Sequence, residues 1–148
     1  KRDLLIAIVE RYFAMLVELL SRSSDPARAL TDWIEAQLYA TKRSLLMHEL
    51  LKTLAEDRTA VARMQEVQLQ MRKRLAQVLS GSSSTRGKPM ERALWLNSVV
   101  QGALVEMESP LRSEHFDEDE WVESVTRIVP VLLAQSKQPP TNERLTYL

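Results

Sequence analysis

The feature of this chain that most constrains its fold is the recurrence of apolar residues at helical spacing, with few residues that interrupt a helix. Only 3 Gly and 6 Pro occur among 148 residues. Apolar side chains three and four positions apart lie on one face of an α-helix. No Asn-Gly or Asp-Gly hairpin dipeptide occurs, and no stretch alternates polar and apolar residues over the length of a strand. The sequence therefore predicts an all-α fold.

Six segments follow this helical pattern, at about residues 3–21, 26–41, 44–54, 57–79, 89–108 and 117–136. The second begins with Asp25 as N-cap and Pro26 in the first turn, where its missing amide has no cost. Gly81 is predicted to end the fourth. We expect a mobile loop at residues 80–88, which are rich in Ser and Gly, and an extended or disordered tail at residues 137–148. The predicted apolar face of the first segment comprises Leu5, Ile8, Tyr12, Met15, Leu16 and Leu19.

The sixth segment has the clearest start pattern. Asp117 and Glu120 have the spacing of a capping box, and Phe116 and Trp121 have that of a hydrophobic staple. Pro130 lies inside the segment and lacks a backbone donor, so the carbonyl four residues earlier loses its helical partner. The sequence therefore predicts a kink in this last helix.

Charge and composition exclude several classes of protein. The 20 basic and 20 acidic residues cancel, whereas a free-standing nucleic-acid binder normally has a basic excess, so we expect that this chain does not itself bind DNA. The absence of Cys excludes a disulfide framework and fits a cytoplasmic protein, which is the location we expect. No apolar run reaches the ~18 residues that span a bilayer, so we expect no membrane association.

Residues arranged for catalysis are lacking. The sequence has no Gly-rich phosphate loop, no nucleophile elbow and no catalytic spacing of His with acidic residues. We therefore predict that the protein is not an enzyme, with no catalytic residues, no metal and no cofactor. His48 lies among apolar residues and is interpreted as a partly buried histidine, and His115 has too few neighbours for a metal site. Arg72 begins a short basic cluster, which is interpreted as a solvated face.

The last two segments carry more apolar surface than one small domain needs. In the fifth, apolar residues cover roughly 200° of the circumference at about 100° per residue. A helix of this kind must be covered on two sides, which predicts self-association. The predicted dimer-interface residues are Leu96, Val99, Val100, Ala103, Met107, Trp121, Val125, Ile128 and Leu132.

Three polar residues, Gln37, Gln68 and Asn97, lie at the centres of apolar faces. Burying an unpaired amide costs about 1–3 kcal/mol, so each needs a partner. Two solutions are open: the amides bond one another or nearby backbone, or they line an apolar cavity of the kind that binds small molecules. Flexible Met side chains suit the walls of such a cavity. The predicted ligand-binding residues are Tyr12, Trp33, Gln37, Met47, Met64, Gln68, Met71 and Asn97.

Two stretches resemble TetR-family transcription regulators. Residues 1–5, Lys-Arg-Asp-Leu-Leu, run into Ile-Ala-Ile-Val-Glu-Arg-Tyr and resemble the junction that follows the helix-turn-helix in that family. Residues 90–104, Met-Glu-Arg-Ala-Leu-Trp-Leu-Asn-Ser-Val-Val-Gln-Gly-Ala-Leu, resemble its penultimate helix, in which an Ala, spaced apolar residues and a Gly recur. The order of helices over residues 1–136 is also similar.

The resemblance implies a six-helix TetR-like C-terminal domain over residues 1–136, whose last two helices form a dimeric four-helix bundle. It implies a homodimer that binds a small hydrophobic or amphipathic effector within the second to fifth helices. This binding would control the DNA affinity of a transcriptional repressor, with DNA contacts made only by an N-terminal helix-turn-helix. That motif is expected before Lys1, because the chain opens inside a helical pattern without an initiator Met, and residues 1–21 would be the linker helix.

Two other functions remain open. The broad apolar faces also fit a helical protein-interaction module, which should be monomeric alone or expose an apolar groove. A cavity with polar groups also fits a carrier of hydrophobic ligands without direct control of DNA. The TetR-type hypothesis differs from the interaction module in requiring a two-fold homodimer.

Overall fold

The computed structural model describes residues 1–81, 88–112 and 114–136, and these ranges contain helices and no strand. The all-α prediction is confirmed. The predictions for residues 82–87 of the loop and for the tail at 137–148 lie outside the described residues. In chain order the helices are α1 (Arg2–Ser21), α2 (Pro26–Leu38), α3 (Thr41–Leu54), α4 (Arg58–Ser80), α5 (Lys88–Met107), α6 (Glu118–Thr126) and α7 (Ile128–Ser136).

Side-chain caps fix three of the helix starts. The carboxylates of Asp25, Asp57 and Asp117 accept hydrogen bonds from amides in the first turns of α2, α4 and α6, at 3.2, 3.0 and 3.0 Å. Each bond satisfies an amide that has no partner within its helix. Gly81 follows α4 with a φ of 64°, a left-handed conformation that costs glycine little. These ends lie where the sequence predicts them.

The boundary between α2 and α3 differs from its prediction. α2 ends at Leu38 instead of continuing to Thr41, and Thr41 begins α3, three residues before the predicted start at Ser44. Ala40 leaves the helical conformation, with φ −108° and ψ 43°. The Thr41 hydroxyl donates to the Leu38 carbonyl. A hydroxyl can satisfy a helix-terminal carbonyl in this way, so one apolar pattern is divided into two helices.

The predicted sixth helix is divided into α6 and α7 just before its internal proline. The Arg127 amide still bonds to the Glu123 carbonyl at 3.1 Å, and α7 then begins at Ile128. Pro130 therefore lies in the first turn of α7, where a missing amide hydrogen has no cost. The rings of Phe116 and Trp121 are 6.1 Å apart, as the predicted staple requires.

The buried face of α1 differs in part from the predicted one, of which Leu16 is buried and the other members except Ile8 are half-buried against the core. The buried side chains include Ile6, Val9 and Phe13, whereas Ile8 is 39% exposed. Both sets of residues have helical spacing, so the sequence pattern alone does not select between them. Packing against α4, α2 and α3 selects the face that is buried. Its five members are Ile6, Val9, Phe13, Leu16 and Leu20.

The central element is α2, which contacts every other helix of the described chain. Leu30, Trp33 and Ile34 are fully buried on it. Burial of each large apolar side chain contributes about 1.5–3 kcal/mol before the entropy of ordering is subtracted. The Trp33 Nε1–H has no acceptor within the described chain, which is a local cost inside this otherwise apolar core.

Ion pairs link α1 to the first turns of α4. Arg2 Nη1 lies 2.9 Å from Asp57 Oδ2, and Arg63 donates two hydrogen bonds of 2.9 Å to the carboxylate of Glu10. The pKa of Asp57 is lowered, first by the hydrogen bond from the Ala60 amide and then by Arg2. One carboxylate therefore caps α4 and also binds the first residue of α1.

Candidate functional site

A cavity of about 360 Å³ lies between α1, α2, α3, α4 and α5. This volume falls within the range of about 300–1,000 Å³ that is usual for small-molecule sites. Its apolar walls come from α1, α3 and α4, and polar side chains from all five helices reach it. The apolar lining residues are Phe13, Leu16, Met47, Leu51, Ala55 and Met71.

One face of α3 forms a long side of the cavity. Ser44, Met47, His48 and Leu51 line it and follow one another at intervals of three, one and three residues, which keeps their side chains on one face of the helix. Lys52 also lines the cavity and, like His48, is exposed. The cavity therefore meets solvent near the C-terminal half of α3.

A chain of hydrogen bonds crosses the cavity wall and joins four helices. The Tyr12 hydroxyl donates to Ser44 Oγ at 3.2 Å, and Ser44 Oγ donates to the Gln37 carbonyl at 3.0 Å. Gln37 Nε2 donates to the Trp33 carbonyl at 3.1 Å. Gln101 Nε2 donates to Gln37 Oε1 at 3.5 Å. Gln37 is buried, and these bonds satisfy its amide as burial requires.

Gln68 on α4 and Asn97 on α5 differ from Gln37. Both line the cavity and are half-buried. Neither side chain has a hydrogen-bond partner in the described parts of the chain. An amide offers two donors and an acceptor, so these two groups are free to bond a molecule in the cavity.

Tyr12 connects the cavity to the middle of α1. Burial raises the pKa of its hydroxyl, and this effect exceeds the opposing effects of the Ser44 hydrogen bond and the nearby Arg43 guanidinium. The hydroxyl therefore stays protonated at neutral pH and acts as a donor. The Arg43 guanidinium lies 6.0 Å from the centre of the ring. A molecule in the cavity would touch α1 through Tyr12, Phe13 and Leu16.

The structure brings most of the predicted ligand-binding residues to this one cavity. Two of the predicted residues do not reach it. Trp33 is fully buried in the core, and Met64 is buried on α4 one turn or more from the lining residues. Helical spacing identifies a buried face, but it does not identify which neighbour covers each residue. The predicted residues that line the cavity are Tyr12, Gln37, Met47, Gln68, Met71 and Asn97.

Several lining residues were not predicted. Arg72 is half-buried at the cavity instead of lying on a fully solvated face, and His48 is exposed instead of partly buried. Helical spacing could have found two of the missed residues. Arg72 lies four positions after Gln68, and Gln101 lies four positions after Asn97, so each shares a helix face with a predicted residue.

Most of the predicted dimer-interface residues lie within this chain's own core. The wide apolar arc of α5 packs against α2, α3 and α4, which accounts for the burial of Leu96, Val100, Ala103 and Met107; Leu132 of α7 is buried as well. Val99, Trp121, Val125 and Ile128 are half-buried. The apolar side chains of α5 that remain exposed are Leu94 at 48%, Trp95 at 51% and Val105 at 59%.

The described residues contain no group of three or more His, Asp or Glu side chains that could hold a metal ion. Within the same residues, no helix has the length and apolar character needed to cross a membrane. Comparison with known protein families, with curated proteins and with solved structures found no match to this chain.

Proposed function

We propose that this protein is the effector-binding domain of a TetR-type transcriptional repressor. It binds a small hydrophobic or amphipathic molecule in the cavity that the five helices α1 to α5 line. The observation that carries the proposal is the composition of the cavity. Apolar side chains such as Met47 and Met71 form its walls, and the amides of Gln68 and Asn97, which have no partner among the described residues, reach it. Apolar walls with a few convergent polar groups are the usual composition of a small-molecule site.

The position of α1 supports the regulatory part of the proposal. Tyr12, Phe13 and Leu16 line the cavity from the middle of α1, and residues 1–5 at its start resemble the family's junction with the helix-turn-helix. A ligand that moves these side chains would therefore move the helix that joins the cavity to the DNA-binding part. Coupling of this kind is typically worth about 1–3 kcal/mol, equal to a change of roughly 5–150-fold in DNA affinity.

A homodimer is part of the same proposal, and the exposed face of α5 fits it better than the residues first predicted. Leu94, Trp95 and Val105 lie within about 100° of one another on the helix and are exposed. Gly102 lies on the same face, and a Cβ added there would meet nothing within 4 Å. Val131 of α7 is also exposed, at 56%. A second copy could cover these faces in a four-helix bundle.

Ligand binding is tested with N-phenyl-1-naphthylamine, a neutral apolar dye whose fluorescence rises when it leaves water. Gln68→Trp adds a large ring at the cavity wall and should weaken dye binding about tenfold. Gln65→Trp is the matched control, because Gln65 is an exposed residue of the same helix that does not line the cavity. Equal dye affinity in both variants would contradict binding at this site.

The regulatory role is tested with the full-length protein and its own promoter DNA. Dye at saturating concentration should change the DNA affinity at least fivefold, in the range of typical allosteric coupling. The same cavity also supports the alternative function, a carrier of hydrophobic ligands. Dye binding with no effect on DNA affinity, or a full-length protein that binds no DNA, would favour the carrier and contradict the repressor.

Analytical ultracentrifugation of Leu94→Glu tests the dimer, which the added charge should dissociate.

A further inference from the structure

The charged side chains that line the cavity are all basic. Arg72 and Lys52 line it, and none of the lining residues is an Asp or Glu. The chain as a whole carries equal numbers of basic and acidic residues, so this imbalance is a property of the cavity and not of the composition. A low-dielectric site with uncompensated positive charge favours an anionic ligand.

Of the two cations that line the cavity, Arg72 is the less compensated by the protein. Its side chain is half-buried at the cavity, and its Nε–H is buried without an acceptor in the described chain. No carboxylate in the described ranges forms an ion pair with it. A buried donor on a charged group is costly to leave unpaired, and a carboxylate matches the planar guanidinium in charge and geometry.

Lys52 is less suited to hold the anion. Its Nζ lies 2.8 Å from Glu49 Oε1, and its side chain is 63% exposed. The same contact lowers the pKa of Glu49, so this carboxylate is ionised at neutral pH and compensates the lysine. An exposed and paired ammonium at the solvent side of the cavity adds little to binding.

The groups around Arg72 complete a site for an amphipathic anion. Gln68 lies one turn before Arg72 on the same face of α4, and Asn97 reaches the cavity from α5, so both amide NH₂ groups are available as further donors. The wall also contains Phe13, Met47 and Met71, which offer apolar contact to the rest of the molecule.

We infer that the cavity binds a small molecule with an apolar body and a carboxylate, and that Arg72 binds the carboxylate. The inference rests on the proposed ligand-binding function, and it adds the chemical class of the ligand. A neutral molecule of the same shape would fill the apolar walls but would leave the guanidinium without an anion. Preference for the acid over the matching alcohol should therefore depend on residue 72.

The experiment uses octanoate and 1-octanol as competitors that displace N-phenyl-1-naphthylamine from the protein at pH 7.5. Octanol is the more apolar of the two, so the hydrophobic effect alone favours the alcohol. Octanoate is ionised at this pH, as aliphatic carboxyl groups titrate near 4.3. In the wild-type protein we expect octanoate to displace the dye at about a tenfold lower concentration than octanol.

Arg72→Met should remove this preference, and Arg72→Lys should keep part of it because the charge remains. Lys73→Met is the matched control, since Lys73 is the next residue on α4, is half-buried and does not line the cavity. Circular dichroism checks the fold of each variant. If Arg72→Met does not fold, Arg72→Gln makes the same test, because its amide can bond neighbouring groups but carries no charge.

The outcomes separate the two proposals. A preference for octanoate that is lost in Arg72→Met and kept in Lys73→Met supports the inference. Equal displacement by octanoate and octanol in the wild-type protein overturns it, and so does a preference that survives in Arg72→Met. In both of those cases the dye is still bound, and the proposed ligand-binding function stands. If the wild-type protein binds neither the dye nor octanoate, the proposed function itself is overturned.

Discussion

The first turns of α4 and its middle turns meet their neighbours in different ways. At the start of the helix, Asp57 and Arg63 pair with residues of α1, and Ala60 and Met64 are buried. In the middle, Gln68, Met71 and Arg72 border a cavity. Both parts form one uninterrupted helix, so helix propensity does not account for the difference. The surroundings of the helix do: α1 runs beside α4 from Asp57 to Arg74, but α3 and α5 leave a space beside its middle turns.

The largest effect should come from a core residue of α4 that does not line the cavity. Leu75 is fully buried, and Leu75→Ala should destabilise the protein by about 2–5 kcal/mol, because it removes apolar contacts and leaves a new void. Met71 is also buried but borders the existing cavity. Met71→Ala should cost less than Leu75→Ala, since some of its contacts are already missing. Urea unfolding of both variants measures the difference, and equal losses would contradict a cavity at Met71.

A smaller effect is expected where the cavity wall is polar. Gln37→Leu removes a buried amide that donates to the Trp33 carbonyl and accepts from Gln101. The substitution should cost about 1–3 kcal/mol. Asn97→Leu removes an amide without a partner in the described chain, so it should be neutral or slightly stabilising. Thermal unfolding compares the two variants. A large loss in Asn97→Leu would show that Asn97 has a structural role that its position does not reveal.

The hydrogen bond from Tyr12 to Ser44 should contribute about 0.5–1.5 kcal/mol, which Tyr12→Phe removes. Burial raises the pKa of Tyr12 above its ordinary value of 10.0, so the unfolded chain loses this proton first. The stability that Tyr12 contributes is therefore full below pH 10 and falls as the pH rises through the raised pKa. The difference between wild type and Tyr12→Phe should narrow above pH 10. Denaturant unfolding across that range would contradict the assignment if the difference stayed constant.

The smallest effect belongs to the ion pair between Glu10 and Arg63. The two side chains are 31% and 48% exposed, and exposed pairs contribute only about 0.2–1 kcal/mol. A double-mutant cycle with Glu10→Gln and Arg63→Gln should give a coupling at the upper end of this range, because the contact is bidentate. The coupling should decrease in 1 M salt. A coupling that is insensitive to salt would indicate hydrogen bonding, and not charge, as its main source.

Sequence patterns predicted those parts of the structure that depend on neighbouring residues in the chain. Asp25, Asp57, Asp117 and Gly81 define helix ends because each acts on backbone groups within a few positions. Gln37 was predicted at a buried position for a similar reason, since its neighbours along the helix are apolar. These properties need no knowledge of which helices meet in space.

Features that depend on packing between helices could not be derived in this way. On α1, two apolar stripes have helical spacing, and packing against α2, α3 and α4 decides that Val9 is buried while Ile8 is exposed. On α5, the broad apolar arc predicted contact with a second subunit, but residues such as Leu96 and Val100 are covered by helices of the same chain. Arg72 was missed because a charged residue in a basic cluster is normally solvated.

Because one carboxylate contacts both helices, the order of the first turn of α4 depends on the position of the start of α1. Asp57 accepts the Ala60 amide at 3.0 Å and holds Arg2 at 2.9 Å. Displacement of Arg2 leaves the bond from the Ala60 amide to Asp57 in place, but it removes the guanidinium that orients the Asp57 carboxylate. Fraying of the first turn of α4 should therefore increase. Amide hydrogen exchange at residues 58–60 therefore senses force or displacement applied at the start of α1. We therefore expect the opening of the N-terminal turns of these two helices, which are 55 residues apart in the chain, to be weakly coupled.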